Sequence, residues 1–148
     1  MKTLFRTVVL VLTILTTSCA TTLYDHYTFT ETLEAKAQTH GLIKLSESPF
    51  SEHVTEVALL KNRLDKMVAY ERSKSKNPIT IKMWEFLNKE DSSIHKFLKL
   101  WEEKGALSPA LTEEFSKQTD EIFQLMIDYE TKKDTESENA LSRILGIL

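Results

Sequence analysis

The sequence predicts an all-α fold, a small bundle of four to five helices. Only three glycines and three prolines occur in 148 residues, too few to punctuate a fold of many short strands. Alternation of apolar and polar residues is nowhere sustained. Apolar residues recur instead at spacings of three and four, the period of a helix with one packed face. About 130 residues follow the N-terminal segment, which suits one domain with a real core.

The chain opens with Lys2 and Arg6, then an uncharged run from Thr7 to Thr17, then small residues and the only cysteine, Cys19. A charged start, a short apolar middle and a small-residue end are the parts of a secretory signal peptide. The run is well short of the ~20 residues that span a bilayer as a helix. Its close, Leu15-Thr16-Thr17-Ser18-Cys19-Ala20, resembles the lipobox of bacterial lipoprotein signals, with Thr16 where leucine is usual. The resemblance implies a signal peptide over 1–18 and a lipidated Cys19, carrying palmitate-type acyl chains, as the mature N-terminus. A tether over 19–27 and a helical domain over 28–148 would follow, with a mobile tail expected at 131–148. One acyl chain binds a membrane only marginally, at ~0.8 kcal/mol per buried CH₂; lipoproteins carry more than one, which implies a lasting anchor. Ala20, rather than Asp, after the cysteine implies an outer-membrane address with the domain facing the periplasm.

Without Lys2 and Arg6 the mature part keeps 17 basic residues against 22 acidic ones, a formal charge of −5. That balance argues against a nucleic-acid binder. A lone cysteine cannot form an internal disulfide, and lipidation accounts for its presence.

A first helix is expected from about Thr28 to Leu45, opened by Thr28 and Glu31 at capping-box spacing. Its apolar face is thin (Phe29, Leu33, Ala37), and Gly41 is a point where it can break. Pro49 marks a turn over 46–51. The second helix, about Glu52 to Ser73, has a clear stripe of Val57, Leu60, Leu64, Met67 and Val68. Pro78 drives Asn77 out of helical geometry and ends that region. A third helix from about Ile79 carries Ile81, Trp84, Phe86 and Leu87. An interruption at Asn88–Ser92, with Asp91 or Ser92 as cap, precedes Ile94, Phe97, Leu98 and Trp101, and Gly105 stands where a C-terminal glycine belongs. Ser108-Pro109 opens the next helix, Pro109 to Lys132, with Leu111, Phe115, Ile122, Met126 and Tyr129. The polar stretch Thr131–Asn139 is expected to fray before an apolar end of Leu141, Ile144, Leu145 and Leu148. No internal repeat is evident.

The motifs point away from chemistry. His26, His40, His53 and His95 have no partner at metal-ligand spacing, and His40 reads as a boundary residue of the first helix. There is no nucleophile elbow and no glycine-rich phosphate loop. Neither catalytic residue, metal nor cofactor is therefore expected. Glu102-Glu103 and Glu113-Glu114 read as a solvated face. Between Lys61 and Lys82 seven basic residues face Asp65 and Glu71; a basic patch of Arg72, Lys74 and Lys76 would suit anionic lipid headgroups or an acidic partner, its alternative being ordinary solvation. Trp84, Phe86, Phe97 and Trp101 read either as core or as an exposed binding surface. The Leu141–Leu148 end can dock on the core, touch the membrane or enter a partner's groove.

Leu23-Tyr24-Asp25, Pro78 to Glu85 and Phe97 to Gly105 look similar to segments of a group of small, uncharacterised bacterial lipoproteins. That resemblance covers most of the mature chain and implies no activity or ligand. The expectation is an outer-membrane-anchored, non-enzymatic interaction domain that engages the membrane through Cys19 and another envelope protein through its surface. The alternative is a small-ligand domain with an apolar pocket lined by the four aromatic residues.

Overall fold

The computed structural model describes residues 24–74 and 77–146. The expected signal peptide, Cys19 and most of the expected tether, together with Lys76 and Leu148, lie outside the described residues. Within them the chain is all-α, with no strand. Six helices follow in order: α1 His26–Leu45, α2 Val54–Arg72, α3 Pro78–Leu87, α4 Ser93–Lys104, α5 Pro109–Lys132 and α6 Thr135–Ile144, with a 3₁₀ turn at Phe50–Glu52 before α2. None is long and apolar enough to cross a membrane.

Helix α1 packs against both α5 and α2. Its pairings Asp25–Glu130 and Lys36–Asp120 run in opposite directions along the two chains, so α1 lies antiparallel to α5. Thr28–Glu71 and Gln38–Arg63 make it antiparallel to α2 as well. The packed face is not the one the apolar residues suggest. Leu33 is 42 % exposed and Ala37 is exposed; the buried positions are Thr28, Thr32, Ala35, Thr39, Leu42, Ile43 and the following Ser46. Their spacing of four and three is a helix stripe, but three of its members are threonines. Thr32 satisfies its hydroxyl by donating to the Thr28 carbonyl at 2.8 Å, so the methyl faces the core without an orphan oxygen. The N-cap is Asp25, whose carboxylate accepts from the N–H groups of Tyr27 and Thr28. It replaces the expected Thr28–Glu31 box, and the helix continues through Gly41.

The α2 stripe is buried as expected. The interruption between α3 and α4 falls at 88–92, where the Ser92 hydroxyl caps α4 by accepting from the His95 N–H. Gly105 ends α4 with φ 77°, a left-handed conformation that favours glycine. Pro109 occupies the first turn of α5. The polar stretch expected to fray instead nucleates α6: Asp134 accepts from the Ser137 N–H, and Leu141 is buried against the core.

The two ends of the bundle are closed by different means. At one end backbone hydrogen bonds join the loop after α1 to the α4–α5 loop, Phe50 N–H to Gly105 O at 2.8 Å and Leu107 N–H to Ser46 O at 2.7 Å. Trp101 adds its indole N–H to the Ser48 carbonyl at 3.0 Å. At the other end, where the tether enters, the closure is made of charged side chains.

Candidate functional site

The buried stripes of α1, α2 and α5 each finish on a polar residue in register with the apolar ones. On α2 the sequence Val57, Leu60, Leu64, Met67 leads to Glu71, which is 0 % exposed. On α5 Thr119, Phe123 and Met126 lead to Glu130, 1 % exposed. On α1 the last position is Thr28, 1 % exposed. A buried carboxylate is costly unless it is paired and hydrogen-bonded, and both are.

Glu71 accepts from the Thr28 hydroxyl, from the Asn77 side-chain amide and from the Lys74 ammonium at 2.8 Å. Lys74 bridges onward to the Asp25 carboxylate at 2.6 Å and lies over the Tyr70 ring at 4.2 Å. Tyr70 donates its hydroxyl to the same Asp25 carboxylate at 3.1 Å. Glu130 accepts from the Asp25 backbone N–H at 2.9 Å and from Lys133 at 2.7 Å, with Lys133 over the Tyr129 ring at 4.6 Å. One residue, Asp25, is thus gripped by main chain from α5 and by side chain from the end of α2. Burial pushes the Asp25 carboxyl up, but the Lys74 hydrogen bond, the Thr28 N–H, the Lys74 charge and Tyr70 outweigh it and bring it down to about 2. Burial also disfavours the Lys74 charge, and here too the carboxylates of Asp25 and Glu71 prevail and raise its pKa.

The two halves of this clamp are built from the same words. Met67-Val68-Ala69-Tyr70-Glu71-Arg72-Ser73-Lys74 and Met126-Ile127-Asp128-Tyr129-Glu130-Thr131-Lys132-Lys133 share a Met-β-branched-x-Tyr-Glu-x-x-Lys pattern, and each occupies the last turns of a helix packed on α1. This short internal repeat, not expected from the sequence, puts an acid beside the N-terminus of α1 and a lysine at each flanking helix's C-terminus. Both placements agree with the helix dipoles. The visible signal was an acid in phase with an apolar stripe, followed by lysine three residues on.

The aromatic cluster proves to be core rather than a binding surface. Trp84, Phe97 and Trp101 are each 0 % exposed; Phe97 and Trp101 stack at 5.7 Å between centroids, and Phe50 meets Trp101 edge-on. Phe86 alone stays half-buried. It lines an apolar crevice with Met83, Ile122, Leu125, Leu141 and Leu145, whose accessible volume of about 10 Å³ is far below the ~300 Å³ or more that a drug-sized ligand takes. The expected pocket lined by all four rings is therefore not formed. Of the basic patch, Arg72 binds Glu85 at 2.6 Å while staying exposed, Lys74 belongs to the clamp, and Lys76 lies outside the described residues. Between α2 and α3 lies an open polar groove of about 480 Å³ along Asp65, Arg72, Glu85 and Lys89.

The histidines are dispersed. His26 is exposed beside Tyr24, and His53 tucks against Trp101 at 5.6 Å between ring centroids. Burial, reinforced by Lys36 and Lys44 over the opposing Asp120, holds His40 below its ordinary pKa; burial and Lys61 do the same to His95. Among the described residues no group of His, Cys, Asp or Glu is placed to hold a metal ion. Glu102, Glu103, Glu113 and Glu114 are exposed. No family model matches the chain, and neither a curated protein nor a solved structure does so.

Proposed function

We propose that this is a bacterial lipoprotein, lipidated on Cys19 and held at the outer membrane, whose non-enzymatic helical domain binds another envelope protein. The observation that carries the reading is the clamp on Asp25. Six positions separate it from Cys19, a span of at most ~20 Å when fully extended. The ion pairs at the junction tie Asp25 to the ends of α2 and α5, so that the clamped end of the bundle is the one kept nearest the anchor. An anchored binding module needs this; a domain on a long flexible leash does not. The second support is the lipobox-like run ending at Cys19, which spends the only cysteine of the chain.

The test is crosslinking in intact cells followed by purification from membranes, with wild type and Cys19→Ala compared. The reading expects one stoichiometric envelope protein with wild type and its loss from the variant. Equal recovery from both forms, or none from either, would contradict it.

A further inference from the structure

The clamped end of the bundle carries an aromatic surface that the clamp itself does not need. Tyr24 is 49 % exposed and Tyr27 41 % exposed, the two largest aromatic exposures among the described residues. Tyr24 lies 5.9 Å from the half-buried Phe29 between centroids. Tyr27 stands edge-on to Tyr70 at 4.6 Å, with the Lys66 ammonium at 5.6 Å from its ring. Arg72 and Lys132, both exposed, close the neighbouring helices at this end. Tyrosine has an apolar body and a polar tip, and with lysine and arginine it is the residue type that sits at a membrane–water boundary.

We infer that the tether end of the domain docks on the bilayer surface, with Tyr24 and Tyr27 at headgroup level. The inference rests on lipidation of Cys19 as proposed above. What selects a bilayer over a protein as the occupant is the length of chain between that cysteine and the surface. Tyr24 follows Cys19 by five positions, a reach of at most ~18 Å. The far end of α1 lies ~30 Å further on, at 1.5 Å per residue. The tether thus keeps Tyr24 within that reach of the lipid, while the far end of α1 is free to stand ~30 Å further away. The rings are held by the fold at a fixed angle, so insertion costs little ordering.

The experiment uses the chain from Cys19 to Leu148, which contains every residue of the described fold. Its single thiol is coupled to a maleimide lipid, and the product is placed in nanodiscs of phosphatidylethanolamine and phosphatidylglycerol with a headgroup nitroxide lipid. Because the anchor is attached chemically, the orientation is measured whether or not a cell lipidates Cys19; mass spectrometry of the protein from membranes tests that separately. Amide signals of residues 24–27 and 131–134 are expected to be broadened away, while those of 50–53 and 105–108 persist. Replacing both rings (Tyr24→Ser with Tyr27→Ser) is expected to remove the contrast between 131–134 and 105–108, with the helical circular dichroism unchanged. Equal broadening at the two ends, or none at 24–27, overturns the inference. So does full contrast in the double variant.

Discussion

Lys74→Met is the sharpest test of the clamp. The ammonium has three oxygen partners, Asp25 at 2.6 Å, Glu71 at 2.8 Å and Thr28 at 2.8 Å. Methionine retains much of the stem but none of the charge. It leaves Glu71, 0 % exposed, with only the neutral donors of Thr28 and Asn77. Removing one partner of a buried pair costs ~3–5 kcal/mol, because the remaining charge is stranded. Lys74 keeps 22 % of its side chain in solvent, so the lower half of that range is expected. At a urea dependence of ~1–3 kcal/mol per molar, the unfolding midpoint should fall by about 2 M. The fluorescence of Trp84 and Trp101, both fully buried, reports it. Replacing both charges, as Glu71→Met with Lys74→Met, removes the stranded carboxylate and should recover at least ~1 kcal/mol of the loss. A single variant within ~0.5 kcal/mol of wild type, the scatter of ordinary surface changes, would refute the reasoning, as would a double variant less stable than the single one.

Four further outcomes follow from the same structure. Asp25 titrates at about 2 in the folded chain against 3.8 ordinarily. Its contribution of about 2 kcal/mol is therefore complete above about pH 5 and is lost as pH falls through 4 toward 2; Asp25→Asn should be less stable at pH 7 and flatter on acid titration. Gly41 lies inside α1 with open space where a Cβ would stand, so Gly41→Ala should raise stability by ~0.5–1 kcal/mol. Gly105→Ala should lower it by about 1 kcal/mol, since φ is 77° there. Thr39 is buried with no partner for its hydroxyl; Thr39→Val keeps the shape, removes the orphan oxygen, and should stabilise by ~1 kcal/mol in urea unfolding.

Much of the fold was legible because its signals are local. The α2 stripe, the Ser92 cap, the Gly105 stop and the Pro109 start each depend on a few neighbouring residues, and all stand where the sequence puts them. Helix α1 was misread because its core face is written in threonine. A threonine counts as polar on a hydropathy scale, yet in a helix its hydroxyl can be returned to the backbone while the methyl packs. Helix α6 was missed because Asp134 converts a polar stretch into a capped one, and its docking depends on Leu141 meeting a core assembled from distant segments.

The clamp lay outside local reading for a related reason. Glu71 and Lys74, or Glu130 and Lys133, look like ordinary surface pairs at helical spacing; only the phase of each acid with its apolar stripe marks it as buried. Lys74, expected in a solvated basic patch, is drawn inward by that acid and by Asp25. Conversely, Trp84, Phe97 and Trp101 offer surface only until the 3₁₀ turn and α5 fold over them. A residue's neighbours across the bundle decide its exposure, and spacing along one helix does not contain them.

The central claim is that this domain works from a lipid on Cys19. Intact mass spectrometry of the protein extracted from cell membranes tests it most directly. The account predicts a chain beginning at Cys19 and heavier than its sequence by a diacylglyceryl group and a further acyl chain, with Cys19→Ala neither processed nor heavier. A membrane-extracted chain that still begins at Met1, or one beginning at Cys19 with an unmodified thiol, would contradict it.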